Sequence, residues 1–301
     1  MLIQRIITAL VLAAVVILAV FELPTIYFSL FIAVITLAAA WEWLDLISIE
    51  KLTNKLLFLG SLVLPMLGVT YWTVFLELMA ELLEWPEIKN YSDALEWLVI
   101  APVLFWILMM TLIRQASPQL LSMQIKPGVE RFIGWLVLLS AWMFLSKLRA
   151  YYGSSMVLYF LALIWFADIA AYFVGKKWGK DKLAPEVSPG KTVQGMYGAL
   201  ASAVISAIAL RLYYGLSGLE QEGAELVILM AIDLVILSVL TVLVSIYGDL
   251  FFSLMKRRKG VKDSGNLLPG HGGILDRIDS VIAAAPFFYA GIVLIGRSVF
   301  S

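Results

Sequence analysis

Apolar runs of spanning length recur along the whole chain, and that recurrence restricts the possible folds more than any other feature. The runs are Ile6 to Phe21, Thr25 to Trp43, Leu56 to Leu78, Leu98 to Ile113, Phe132 to Leu145, Val157 to Val174, Val193 to Leu212, Leu226 to Met255 and Val281 to Val299. A helix crossing the hydrocarbon core of a bilayer needs about 20 mainly apolar residues. In lipid its backbone polar groups must be satisfied within the segment, which selects helices over open strands. Composition agrees: hydrophobic residues are 62% of the 301 and charged residues 15%, against about half and about a quarter in soluble domains. The sequence therefore predicts an all-α polytopic integral membrane protein with about nine transmembrane helices. Gly248, inside the long eighth run, predicts a kink or break there. The first run has Arg5 on its flank but no small-x-small cleavage site after it, so it reads as a retained helix rather than a signal peptide.

The charges lie mainly between the runs, and their signs alternate. Arg114 to Arg131, Lys176 to Lys191 and Lys256 to Asp279 are basic; the segments around Glu77 to Glu96 and Glu220 to Glu225 are acidic. Basic loops mark the cytoplasmic side, which puts the amino terminus in the cytoplasm and the carboxy terminus outside. Lys147 and Arg149 fall on the wrong side of that scheme. The acidic segment between the third and fourth runs reads as a short amphipathic helix at the outer surface. Residues 1–152 read as plain spans for packing, lipid contact or dimerisation. In 153–301, polar residues interrupt the apolar runs, as expected of a catalytic region.

Several function classes fall away. Lys plus Arg is 22 and Asp plus Glu is 22, so there is no global basic surface for nucleic acid. Cysteine is absent and His271 is the single histidine, which excludes thiolate and multi-histidine metal sites.

The densest chemistry lies between Gly248 and Asp279. Asp249 sits near the end of a span, where a carboxylate needs a partner or a wet cavity. Asp276 and Asp279, three residues apart, share one face at the start of the last helix; two acids that close repel unless a cation lies between them. The loop between them and the eighth run combines Gly265, Gly270, Gly272 and Gly273 with Lys256, Arg257, Arg258, Lys259, Lys262, Arg277 and His271. Glycine lets backbone N–H groups approach an anion, and Lys and Arg supply charge for phosphate. Carboxylates for a hard cation beside cations for phosphate are the composition of a nucleotide–Mg²⁺ site. A basic run after a span is often only a topogenic signal, but that does not account for three aspartates and a Gly-His-Gly-Gly turn. A second stretch, Ser188 to Gly195, precedes the seventh run on the same face. Its Ser or Thr can cap a helix whose N–H groups attract phosphate, or it is merely a capped start with the snorkelling Lys191. Asp168, inside an apolar run, is either part of the site or a structural hydrogen-bonding partner.

These residues carry a resemblance. Ser253, Lys256, Arg257, Lys262, Asp263, Gly265, Leu268, Pro269, His271, Gly272, Gly273, Asp276, Arg277 and Asp279 fill every fixed position of a signature that resembles the phosphatidate cytidylyltransferase (CDP-diacylglycerol synthase) family. Asp168 to Lys182 followed by Ser188 to Gly195 looks like the family's second block, with Ile169 and Ala170 where Thr and Gly are frequent. The motifs cover about the last 135 residues. The resemblance implies that CTP and phosphatidic acid react to CDP-diacylglycerol and pyrophosphate. It also implies a paired metal site with Mg²⁺ and a second cation on Asp249, Asp276 and Asp279, and a homodimer. Lys256, Arg257, Lys262, Arg277 and Lys191 are expected to hold phosphates. Ser188, Thr192, Ser253, Asp168, Gly272 and Gly273 are expected to line the substrate site, Asp263 to belong to the catalytic set, and His271 to contact CTP. With the loop charges, it implies the bacterial cytoplasmic (inner) membrane, with the site facing the cytoplasm and the lipid entering from the bilayer. Two alternatives stand beside it: a CTP-dependent lipid kinase or ether-lipid cytidylyltransferase, which would need a similar face, and an ion-coupled transporter. A transporter predicts polar residues through the membrane depth and inverted repeats, and neither pattern is evident.

Overall fold

The structure, a computed structural model, describes residues 2–216, 224–268, 270 and 272–300. Nearly all of it is helix: α1 (Leu2–Glu22), α2 (Thr25–Leu46), α3 (Leu52–Thr70), α4 (Trp72–Leu82), a 3-10 helix (Pro86–Val99), α5 (Ile100–Ser122), α6 (Pro127–Trp178), α7 (Val193–Leu216), α8 (Ala224–Lys259) and α9 (Leu275–Phe300). Among the described residues seven helical stretches are long and apolar enough to cross a bilayer, and α1 contributes a shorter apolar segment, Leu10–Glu22. The chain is therefore an all-α multi-pass membrane protein.

Two expectations take another form, the single Leu56 to Leu78 helix and the break at Gly248. The run Leu56 to Leu78 is two helices, because the chain leaves helical geometry at Tyr71 (φ −102°, ψ 16°). Just before it, the Thr70 hydroxyl donates back to the Met66 carbonyl at 2.8 Å, a bond of the type that bends helices. The runs Phe132 to Leu145 and Val157 to Val174 are two helices, as expected, that follow each other without a loop within the stretch labelled α6: helical geometry is interrupted at Gly153 (φ 78°, ψ −176°). That backbone geometry is essentially reserved for glycine. Gly248 does not break α8. It stays helical, and a Cβ there would collide with the Ala283 methyl on α9, so its role is close helix packing.

α6 is the central element, touching α2, α7 and α9, while α8 packs between α5, α7 and α9. The core is aromatic at two levels. Trp43 meets Phe252 edge-on with centroids 6.0 Å apart, and Phe251 meets Trp106 at 5.5 Å; Phe144 lies 5.2 Å from Tyr289, and Phe160 lies 5.1 Å from Phe288. The outer faces are apolar too: Val34, Leu64, Ile205 and Leu294 are each more than 60% exposed. A soluble monomer rarely shows contiguous apolar patches of more than a few hundred Å², so the outer shell is suited to lipid.

The two misplaced cations are internal groups. Arg149 donates to the carbonyls of Val20 and Leu23 at 3.2 Å each, closing the carboxy end of α1. Lys147 is buried, 5.3 Å from the Tyr151 ring centroid and within electrostatic reach of Glu96 and Asp93. Glu96, from the acidic segment, accepts from the Tyr289 hydroxyl at 3.1 Å.

Candidate active site

The polar groups of the carboxy-terminal half converge where α6 and α8 end and α7 and α9 begin. After Trp178 the chain makes a short antiparallel hairpin, β1 (Lys182–Ala184) with β2 (Ser188–Thr192), which the sequence reading did not anticipate. Its second strand runs straight into α7. Thr192 is the cap: its Oγ accepts from the Gly195 N–H at 3.1 Å, satisfying one of the free donors of the first turn. Gln194 fastens the hairpin from behind, its side-chain oxygen accepting from the N–H groups of Lys180 and Asp181 and its Nε2 donating to Asp181 at 2.7 Å.

This entry aims Lys191 at α8. Its Nζ lies 2.7 Å from Asp249 Oδ2 and donates to the Ile246 carbonyl at 3.3 Å. The other Asp249 oxygen accepts from Ser253, one turn on, at 3.2 Å. A turn further still, Lys256 donates to Asp276 Oδ1 at 2.6 Å, and both side chains are nearly enclosed. Asp249, Ser253 and Lys256 thus lie along one stripe of α8, at the three- and four-residue spacing of a helix face.

Facing that stripe is the first turn of α9. Asp276 Oδ2 accepts the N–H groups of Ser264 at 2.8 Å and Gly273 at 3.0 Å. With Lys256 on Oδ1, both Asp276 oxygens are engaged. Gly272 has φ +83°, and Leu268 donates to its carbonyl at 2.9 Å, so these two residues are paired with each other. A side chain at Gly272 would meet Asp276 Oδ2 at 2.9 Å. Asp279, one turn into α9, is buried and accepts the Ser280 N–H at 2.8 Å. It feels the like charge of Asp249 and the opposite charges of Lys256 and Lys191. Asp168, exposed on α6, interacts electrostatically with Lys191 and Asp249. The polar cluster is therefore graded in exposure: Asp168 is exposed, Lys191 and Asp249 are half-buried and Asp279 is buried.

Other expected site residues form a rim. Arg257, Lys262, Asp263 and Arg277 are exposed. Arg257 donates to the carbonyls of Val187 and Val261 at 3.3 Å each, tying the hairpin to the end of α8. Ser188 pairs opposite Ala184 in the hairpin. His271 lies outside the described residues. Arg258 pairs with Glu130 at 3.3 Å and Lys259 donates to Ser48 at 2.6 Å, so these two anchor neighbouring helices.

One central residue escaped the sequence reading. Glu42, near the end of α2, is buried and accepts from Ser264 Oγ at 2.9 Å, the Ile274 N–H at 3.0 Å and the Leu275 N–H at 2.9 Å. The signal that would have found it is a carboxylate between two tryptophans in an apolar run, since buried intramembrane acids are costly.

Among the described residues no three Asp, Glu, His or Cys side chains close on one point as a ready metal cage. Asp249 and Asp279, facing each other across α8 and α9, fit a cation that takes one or two protein carboxylates and completes its shell with phosphate oxygens and water.

Comparison with known proteins identifies the family of the chain. Residues 3–295 match the cytidylyltransferase family. The chain is 35% identical over 302 residues to a phosphatidate cytidylyltransferase of Haemophilus influenzae, covering 96% of this chain and 97% of the relative. It is 38% identical over 291 residues to one from Pseudomonas aeruginosa, covering 96% of each. A Bacillus subtilis phosphatidate cytidylyltransferase is 43% identical over 141 residues, 46% of this chain. With the match running through all the spans and not only through the polar carboxy-terminal half, the chain belongs to the cytidylyltransferase family.

Proposed function

We propose that this protein transfers the cytidylyl group of CTP to phosphatidic acid, producing CDP-diacylglycerol and pyrophosphate. The observation that carries the reading is the charged cluster at the shared end of four helices, in which Lys191 pairs with Asp249, Lys256 pairs with Asp276, and Asp279 lies within electrostatic reach of Asp249 and both lysines. It suits a highly charged nucleotide meeting an anionic headgroup whose acyl chains remain in lipid.

In the reaction an oxygen of the lipid phosphate forms a bond to the α-phosphorus of CTP. The bond from that phosphorus to the bridging oxygen breaks, and pyrophosphate leaves. The attacking phosphate is already ionised near neutral pH, so no general base is required. What the site must supply is relief of anionic repulsion and alignment for in-line attack. Lys191 and Lys256 are the inner cations for that task, with Arg257, Lys262 and Arg277 at the rim where the triphosphate approaches. Asp249 and Asp279 would hold Mg²⁺, which when bound neutralises phosphate charge; Asp276 acts beside them by fixing Lys256 and the turn. The basic loops favour placing this face in the cytoplasm, where CTP is available.

Purified protein in detergent, given phosphatidic acid, Mg²⁺ and [α-³²P]CTP, is expected to move label into a chloroform-soluble product and release pyrophosphate. Asp279→Asn is expected to abolish the transfer. Label passing to lipid from [γ-³²P]CTP instead would indicate a kinase and overturn the reading, as would the formation of no labelled lipid from either nucleotide.

A further inference from the structure

Among the described residues, Glu42 is the side chain of the amino-terminal helices that hydrogen-bonds Ser264, Ile274 and Leu275 at the α8–α9 turn. It comes from 222 residues before Ser264 and 233 before Leu275. Three donors meet its two oxygens, two of them backbone N–H groups at the entry to α9. The turn is built around it. A Cβ at Gly265 would stand 2.5 Å from Glu42 Oε1, and one at Gly273 would overlap both Glu42 and the Ser264 hydroxyl. Asp276 holds the same turn from the other side through the N–H groups of Ser264 and Gly273. Two carboxylates thus clamp one short segment, and the first turn of α9, bearing Asp276 and Asp279, is set by where that segment sits.

We propose that Glu42 is a positioning residue for the transfer: through Ser264, Ile274 and Leu275 it sets the height and rotation of α9, and so the placement of Asp279 opposite Asp249. The proposal rests on the cytidylyltransferase reading for its effect on turnover, but not for its effect on the turn. Glutamine is the informative replacement. It keeps the volume of the side chain but offers one oxygen where three donors converge, and its amide nitrogen would face an N–H or hydroxyl donor. Aspartate keeps the charge but falls short by one methylene.

The test uses the full-length protein in detergent, comparing wild type, Glu42→Gln, Glu42→Asp and the exposed control Glu77→Gln. The readouts are label transfer from [α-³²P]CTP across CTP and Mg²⁺ concentrations, the thermal unfolding midpoint, and amide hydrogen exchange over 264–280. Outer groups that orient ligating side chains are worth about 10–100-fold when removed. Glu42→Gln is accordingly expected to lower kcat by at least about tenfold, with faster exchange confined to the turn and first turn of α9. Glu42→Asp should recover part of the loss, and the control Glu77→Gln should match wild type. Transfer by Glu42→Gln within twofold of wild type would overturn the proposal. So would a loss explained wholly by a smaller folded fraction, with normal turnover per folded molecule. If wild type itself transfers no label, the cytidylyltransferase reading fails, and hydrogen exchange then decides the positioning role: unchanged protection at Ile274 and Leu275 in Glu42→Gln rejects it, and local loss of protection upholds it.

Discussion

Lys191 and Asp249 meet at 2.7 Å while each keeps more than a quarter of its side chain exposed, so the pair is held together yet open to a ligand. Replacing Lys191 by methionine removes the cation and leaves Asp249 beside Asp279 with less compensation. Loss of a preorganised electrostatic group typically costs about 10²–10³ in kcat, and Lys191→Met is expected to fall in that range in the labelled-CTP assay. Thr192 acts differently. Its hydroxyl caps α7, and Thr192→Ala is expected to lower stability by about 1 kcal/mol, read from thermal unfolding in detergent. These residues were legible because the groups that matter are close in sequence: Asp249, Ser253 and Lys256 follow one another along a single helix face. Arg257 was legible as a cation, but its bonds to Val187 and Val261 depend on a hairpin that no local pattern announced. Glu42 was legible as a costly acid in an apolar run, but its partners, more than 200 residues away, were not.

At the scale of the elements, the contact between α8 and α9 decides whether Asp249 and Asp279 can face each other. Gly248 lies against Ala283, and a Cβ there would also come within 3.2 Å of the Asp279 carbonyl. Gly248→Val is expected to destabilise the protein by about 1–3 kcal/mol through overpacking, and to lower transfer further by separating the two aspartates. Thermal unfolding and turnover per folded molecule separate the two effects. The bend in α6 gives a second test. Gly153 holds φ 78°, so Gly153→Ala is expected to cost about 1–3 kcal/mol of backbone strain, seen as a lower unfolding midpoint. Periodicity and length revealed the runs but not these joins. An apolar run reads the same whether it is one helix or two, as the Leu56 to Leu78 stretch demonstrates.

For the molecule as a whole, the absence of cysteine makes orientation directly measurable. Lys262 and Glu77 are both exposed and lie in oppositely charged segments. Lys262→Cys is expected to react with an impermeant maleimide only in inverted vesicles, and Glu77→Cys only in intact cells. Labelling of both from one side would refute the topology drawn from the basic loops, and the exchanged pattern would invert it. The sequence by itself determined the solvent and the chemistry: long apolar runs require lipid because their surface cannot be hidden from water, and clustered Asp, Lys and Gly near the last spans announce an anion and cation site. What the tertiary structure alone decided is how that site is held. Glu42 reaches the α9 turn from the second helix, and Lys147 and Arg149 lie inside the bundle instead of marking a loop. Charge and hydropathy are properties each residue carries wherever it sits, whereas a hydrogen bond exists only once two distant segments have been brought within about 3 Å of each other.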